Sequence, residues 1–122
     1  MNMSDKIAVG CIILLACPIA FACDYPKRPS IPDGLSASKD ELLLAKKGVN
    51  AYLAGVDEYL TCLETAENEA VAALDDSDSA ELKRRDDVLG KKFDAANEEK
   101  ALVGEEFNVQ VRAYNDARKA AE

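Results

Sequence analysis

The fold is decided by residues 38–74, which read SKDELLLAKKGVNAYLAGVDEYLTCLETAENEAVAAL. Ser38 and Glu41 have the spacing of a capping box, and Ala37 and Leu42 are placed to staple the first turn, so we expect a helix to begin near residue 38. Apolar residues then recur at steps of three and four, the spacing of a packed helical face. They are Leu42, Val49, Leu53, Val56, Leu60, Leu63, Ala70 and Leu74.

The short polar stretch DDSDS at residues 75–79 predicts the end of this helix, because such side chains compete for backbone hydrogen bonds. Asp78 and Glu81 resemble a second capping box. An inward face follows at Leu82, Leu89, Phe93, Ala96, Val103, Phe107, Tyr114 and Ala117. Alternate acids in the turn suggest a calcium loop, but the glycine and the distant glutamate of such a loop are missing. We expect no metal and no cofactor.

Residues 1–22 have the features of an export signal. An apolar run from Ile7 to Leu15 leads through Pro18 to small residues before Cys23. This pattern predicts cleavage after Ala22. Two alternatives remain. In the first, the stretch ending at Cys17 reads as a bacterial lipobox, and Cys17 is lipidated. In the second, residues 1–22 stay uncleaved as an anchor, which is disfavoured because the apolar run is shorter than the roughly 20 residues needed to span a bilayer.

The start of the mature chain, residues 23–37, is here called the arm. Its prolines, Pro26, Pro29 and Pro32, are three residues apart, which favours an extended polyproline conformation. Pro32-Asp33-Gly34 predicts a turn, with proline setting the first bend and glycine relieving the last. The arm can therefore fold back along helix one.

Cleavage leaves two cysteines, Cys23 and Cys62, and an even pair in an oxidising compartment predicts a disulfide. An extended arm reaches at most about 46 Å, which covers the helical distance of about 36 Å from Ser38 to Cys62 with little slack. Such a staple is needed, because two helices at this size bury only one seam. The chain also has no histidine to activate a thiol.

The sequence thus predicts an all-α fold: an antiparallel, coiled-coil-like two-helix hairpin whose Pro-rich arm is strapped to helix one by the disulfide. The expected organisation is a signal peptide at 1–22, the arm at 23–37 and the hairpin at 38–122. Within the hairpin we expect helix one at about 38–74, a turn at 75–78 and helix two at about 79–121.

One stripe of helix one carries Gly48, Gly55 and Cys62 at intervals of seven, and Tyr52 and Tyr59 lie beside it. Mid-helix glycine costs about 1 kcal/mol relative to alanine, which suggests that something approaches the backbone there. We expect Gly48, Tyr52, Gly55 and Tyr59 to form an arm-binding groove. The alternatives are that the tyrosines simply fill the core, or that the groove takes a proline-rich segment of another protein.

Helix two contains a repeat of period 14, in which LGKKF at residues 89–93 returns as VGEEF at 103–107 with inverted charges. Two copies paired antiparallel about an axis near Glu98 would set lysines against glutamates and bring glycines close together. The alternative is that a coiled-coil-like sequence repeats in this way without any dimer.

The formal net charge of −8 argues against nucleic acid and against anionic membrane surfaces as partners. Eight acids and no base occur between Asp57 and Asp78, which indicates a solvated acidic face or a docking surface for a basic partner. The chain also lacks tryptophan, a phosphate-binding glycine loop and a nucleophile elbow. We therefore expect no enzymatic activity.

The arrangement of Cys23, the Pro-rich run, Ile31-Pro32-Asp33-Gly34, the two groove tyrosines and Cys62 resembles a group of small exported proteins of proteobacteria without assigned activity. The resemblance extends to Phe107-Asn108 and Arg112. It implies a bacterial origin and a periplasmic or secreted location, and it brings no catalytic residue with it.

We expect the function to be that of a periplasmic or secreted module for protein interaction or scaffolding, with a protein partner or a second copy as ligand. No membrane contact is expected unless the chain is lipidated. The alternative is an outer-membrane-anchored structural lipoprotein of the envelope, lipidated at Cys17.

Overall fold

A computed structural model describes residues 23–75 and 78–122. The predicted signal peptide, the possible lipidation site Cys17 and two residues of the predicted turn, 76 and 77, lie outside the described residues.

Two helices make up the hairpin. Helix α1 spans Lys39–Ala72 and helix α2 spans Ser79–Ala120. At 1.5 Å per residue, their 34 and 42 residues correspond to lengths of about 51 and 63 Å. No strand occurs in the described part of the chain. The predicted all-α hairpin with a disulfide-strapped arm is confirmed.

Side-chain caps set the beginnings of both helices. At α1 the backbone N–H of Glu41 donates to Ser38 Oγ at 3.2 Å, and Ser38 N–H donates to Glu41 Oε2 at 2.7 Å. This second bond lowers the pKa of the Glu41 carboxyl. At α2 Asp78 accepts from the Glu81 N–H at 3.3 Å, while the Glu81 carboxylate bonds to Arg84 and so has a lowered pKa. The second predicted box is therefore formed only in its Asp78 half.

Cross-helix ion pairs show the antiparallel register. Arg85 of α2 donates two hydrogen bonds to the carboxylate of Glu67 on α1, from Nε to Oε1 at 2.8 Å and from Nη2 to Oε2 at 3.0 Å. Fifteen residues further along α2, Lys100 forms an ion pair with Asp57 of α1. Because residue numbers fall on α1 as they rise on α2, the helices run in opposite directions.

The core is one narrow seam in the middle of the hairpin. Val56 and Val103 are fully buried, and the arm residue Ile31 packs against this cluster. The other buried members are Val49, Tyr52, Leu60 and Ala96.

Burial departs from the predicted seam in two ways. Tyr52 and Ala45 are buried although the predicted seam does not include them. The predicted seam residues that are only partly buried are Leu53, Leu63, Ala70, Leu74, Leu82, Leu89, Phe93, Phe107, Tyr114 and Ala117. The burial of Tyr52 and Ala45 follows from the path of the arm, which runs from Cys62 toward the beginning of α1. A third segment thus helps to cover the central part of the hairpin, while the turn end has only two helices.

Candidate functional site

The arm is fixed to α1 at its first residue. Cys23 and Cys62 form the predicted disulfide; their Cα atoms are 5.7 Å apart, and the two residues are 39 positions apart in sequence. This Cα separation lies in the usual range for the bond. The covalent tie thereby sets the point from which the arm runs back over the hairpin.

The prolines of the arm lie on the glycines of α1. A Cβ atom built on Gly55 would be 3.0 Å from Pro26 Cβ, and one built on Gly48 would be 3.5 Å from Pro29 Cβ. The spacings explain the match: three residues of polyproline helix advance about 9 Å, and seven residues of α-helix advance about 10.5 Å. Cys23, Pro26 and Pro29 therefore meet Cys62, Gly55 and Gly48 in turn.

The two groove tyrosines, Tyr52 and Tyr59, pack against a third tyrosine, Tyr25, which belongs to the arm. The Tyr25 ring meets the rings of Tyr52 and Tyr59 edge to face, with centroids 6.2 and 5.0 Å apart. Tyr25 and Tyr52 share a hydrogen bond between their hydroxyls at 2.9 Å. Burial, together with this bond, raises the pKa of Tyr52. Tyr52 thus fills the core and holds the arm at the same time, so the two interpretations of this residue are compatible.

The arm also contacts α2, which the sequence did not indicate. Arg28 forms ion pairs with Glu99 and Glu106, the second at 2.6 Å. The hydrogen bonds with these carboxylates raise the pKa of the guanidinium. Since Glu99 and Glu106 are seven residues apart on one face of α2, the arm lies in the cleft between the helices and not along α1 alone.

Gly34 is required for a different reason from the one the turn motif suggests. None of the described glycines has a positive φ, so the turn does not need glycine for its conformation. A Cβ on Gly34 would instead be 1.9 Å from the backbone oxygen of Gln110, and the Gly34 N–H donates to Gln110 Oε1 at 2.8 Å. Glycine lets the end of the arm touch the backbone of α2.

The turn is held by Asp33. The backbone N–H of Leu35 donates to its carboxylate at 2.9 Å, and the N–H of Ala37 donates to its carbonyl at 2.9 Å. These bonds satisfy the backbone N–H groups of Leu35 and Ala37 at the end of the arm, just before the Ser38 cap. They close the turn that brings Gly34 against α2.

The site as a whole is a clamp that the chain fills with its own segment. Its polar groups are already engaged, tyrosine with tyrosine and Arg28 with two glutamates. A foreign proline-rich segment could occupy the groove only by displacing an arm that is held covalently at one end. The surfaces open to a partner are therefore those outside the groove.

No group of three or more candidate metal ligands occurs within residues 23–75 and 78–122. In the same residues, no helix has the length and apolar content of a membrane span.

Comparisons with protein-family models, with curated proteins and with solved structures found no match.

Proposed function

We propose that this protein is an exported, non-enzymatic module for protein interaction or scaffolding, located in the periplasm or secreted. The observation that carries the proposal is the covalently held arm, which fills the groove between the helices and leaves a braced rod about 63 Å long for contact with other proteins.

Export is supported by the disulfide together with the leader pattern of residues 1–22. Structural disulfides persist in oxidising compartments and are rare in reducing ones. The Cys23–Cys62 bond joins the arm to the middle of α1 and orders the site around it. A protein that depends on this bond is suited to the periplasm or to the medium.

An interaction role is supported by large apolar side chains that remain exposed on both helices. Leu44 on α1 is 70% exposed and lies beside an open hollow lined by Pro29, Pro32 and Gly48. On α2, Leu102 is 53% exposed. Apolar surface of this kind is typical of protein contact sites when it is grouped.

Two measurements test the proposal. The intact mass of protein taken from the periplasm and from the medium should begin at Cys23 and be two hydrogens lighter than the reduced chain. Full-length protein with free thiols in the cytoplasm would contradict export.

For the interaction role, a photoreactive amino acid is placed at Leu44 or Leu102, with the exposed polar position Asn68 as the matched control. Covalent adducts with a second protein chain are expected at the two leucines and not at Asn68. If no adduct forms at either leucine in cells that export the folded protein, the interaction role is wrong.

The second candidate function is an envelope lipoprotein, favoured by the LLAC sequence ending at Cys17. Cys17 and Cys23 are six positions apart in sequence, which an extended chain spans in at most about 20 Å. The tie at Cys62 is ten residues, about 15 Å, from the end of α1 at Ala72. A lipid at Cys17 would thus hold the turn end of the hairpin near the membrane, and a diacylglycerol on Cys17 in the intact mass would decide for this function.

A further inference from the structure

Helix α2 carries a second apolar face that the hairpin leaves uncovered. Val88, Ala95, Leu102 and Val109 recur every seven residues and form what is called here the outer stripe. Val88, Leu102 and Val109 are 40, 53 and 43% exposed. The covered face of α2 begins one residue further along, at Ala96, and is therefore turned by about 100°.

Charged side chains flank the outer stripe in a repeated order. On each side a lysine comes first and a glutamate follows 14 residues later. The flanking residues are Lys91, Glu98 and Glu105 on one side, and Lys92, Glu99 and Glu106 on the other. Lys91 and Lys92 are both exposed, and neither forms an ion pair with any residue that the structure describes.

We propose that the outer stripe is the interface of an antiparallel dimer with a second copy of this chain, about a twofold axis that passes between the two α2 helices at the level between residues 98 and 99. Val88 and Val109 are equally distant from that point, and so are Ala95 and Leu102. Each pair therefore meets at one level across the axis. The inference rests on the proposed interaction function and names the partner.

The charges complement each other in this arrangement. A twofold axis of this kind keeps each flank of one helix opposite the same flank of the other. Lys91 then faces Glu105 of the second copy, and Lys92 faces Glu106, each within one residue, or about 1.5 Å, of the same level. Within its own chain Glu105 already binds Arg112, and Glu106 binds Arg28, so each glutamate would bridge two cations across the interface. The alternative parallel arrangement in register would set lysine against lysine and glutamate against glutamate.

At the centre of the interface, electrostatic repulsion opposes dimer formation. Glu98 meets Glu98 of the second copy near the axis, and like charges at close range weaken the contact. The neighbouring Glu99 is paired with Arg28 of the arm, which also binds Glu106, so the arm offsets part of the negative charge near the centre. We therefore expect a dimer that the Glu98 pair keeps weak.

The glycines of the repeat take no part in this interface. A Cβ atom on Gly90 or on Gly104 would meet nothing within 4 Å in the single chain. Both residues lie two positions beyond a member of the outer stripe, about 160° around the helix. In this arrangement the two glycines do not meet across the dimer axis.

A charge exchange tests the proposed pairing by sedimentation from micromolar to submillimolar protein concentration. Lys91→Glu places two like-charge pairs in the homodimer, and so does Glu105→Lys, so each variant alone should dimerise about 10- to 30-fold more weakly than the original chain. A mixture of the two variants restores both attractive pairs and should form a heterodimer of the original strength. Lys119→Glu, the same change beyond the stripe, should leave the dimer unchanged.

Two further variants test the apolar stripe and the centre. Leu102→Gln should abolish the dimer, whereas Leu44→Gln on α1 should not. Glu98→Gln should strengthen it about two- to fivefold, since one exposed like-charge pair is removed.

A wild-type chain that stays monomeric throughout this range overturns the proposal, and so does a dimer that survives Leu102→Gln or fails to recover in the mixture. These outcomes differ from failure of the proposed function. Photo-crosslinking to a different protein would leave the interaction role standing while the dimer fell.

Discussion

The contact between the end of the arm and α2 makes a sharp prediction for Gly34→Ala. The added Cβ would lie 1.9 Å from the Gln110 backbone oxygen, so the turn must move away by more than about 1 Å to reach an ordinary contact. That movement breaks the 2.8 Å hydrogen bond from Gly34 N–H to Gln110 Oε1, worth about 1 kcal/mol. It also loosens Ile31 from the core, at a cost of about 1 to 2 kcal/mol for partial exposure.

The expected loss in the free energy of unfolding for Gly34→Ala is therefore about 2 to 3 kcal/mol, measured by urea unfolding followed by far-UV circular dichroism. Gly90→Ala is the matched control, because its Cβ meets nothing within 4 Å and the helix should gain about 0.5 to 1 kcal/mol. Gln110→Ala removes only the hydrogen bond and should cost less than Gly34→Ala. If Gly34→Ala is as stable as Gly90→Ala, the turn does not press on α2 and the described path of the arm is wrong.

Three further predictions concern the rest of the clamp. Replacing Cys23 and Cys62 with serine removes a cross-link between residues 39 apart and should cost about 4 kcal/mol in the chain-entropy model, visible as a lower urea midpoint. An unchanged midpoint would contradict a stabilising tie. The pKa of Tyr52 is raised in the folded state, so its contribution to stability is complete below about pH 10 and is lost as pH rises further, at up to about 1.4 kcal/mol per pH unit. Tyr52→Phe should remove that part of the alkaline slope, and an identical slope in both proteins would contradict the assignment. Gly55→Ala sets a Cβ 3.0 Å from Pro26, so it should be less stabilising than Gly90→Ala, and the difference should vanish when Pro26 is changed to glycine as well. A difference that persists in the Pro26→Gly background would show that this contact is not its cause.

The helices and their caps could be predicted because they depend on residues close in sequence. The Ser38 capping box joins positions three apart, and the apolar repeat of α1 needs only the pitch of the helix. The disulfide could also be predicted from the sequence, because only two cysteines remain after the predicted cleavage and chain length limits where the arm can reach.

The candidate site was predicted only on its α1 side. Gly48 and Gly55 were conspicuous because glycine is unfavourable in a helix, and Tyr52 and Tyr59 lie next to them. Tyr25 was missed because one aromatic residue in an extended segment has no periodicity to reveal its direction. The available signal was its position between Cys23 and Pro26, both of which were expected to face the groove.

By itself, the sequence determined two long helices, a turn between them and a Pro-rich segment tied back by a disulfide, because local periodicity and covalent reach set all of these. Only the tertiary structure decided that the arm lies between the helices. Arg28 is 71 residues from Glu99 and Gly34 is 76 from Gln110, and such distant groups are brought together by the rotation of α2 about its own axis. That rotation also decides which apolar face of α2 is buried against α1 and which, at Val88, Leu102 and Val109, is left exposed, because both faces have the same seven-residue period.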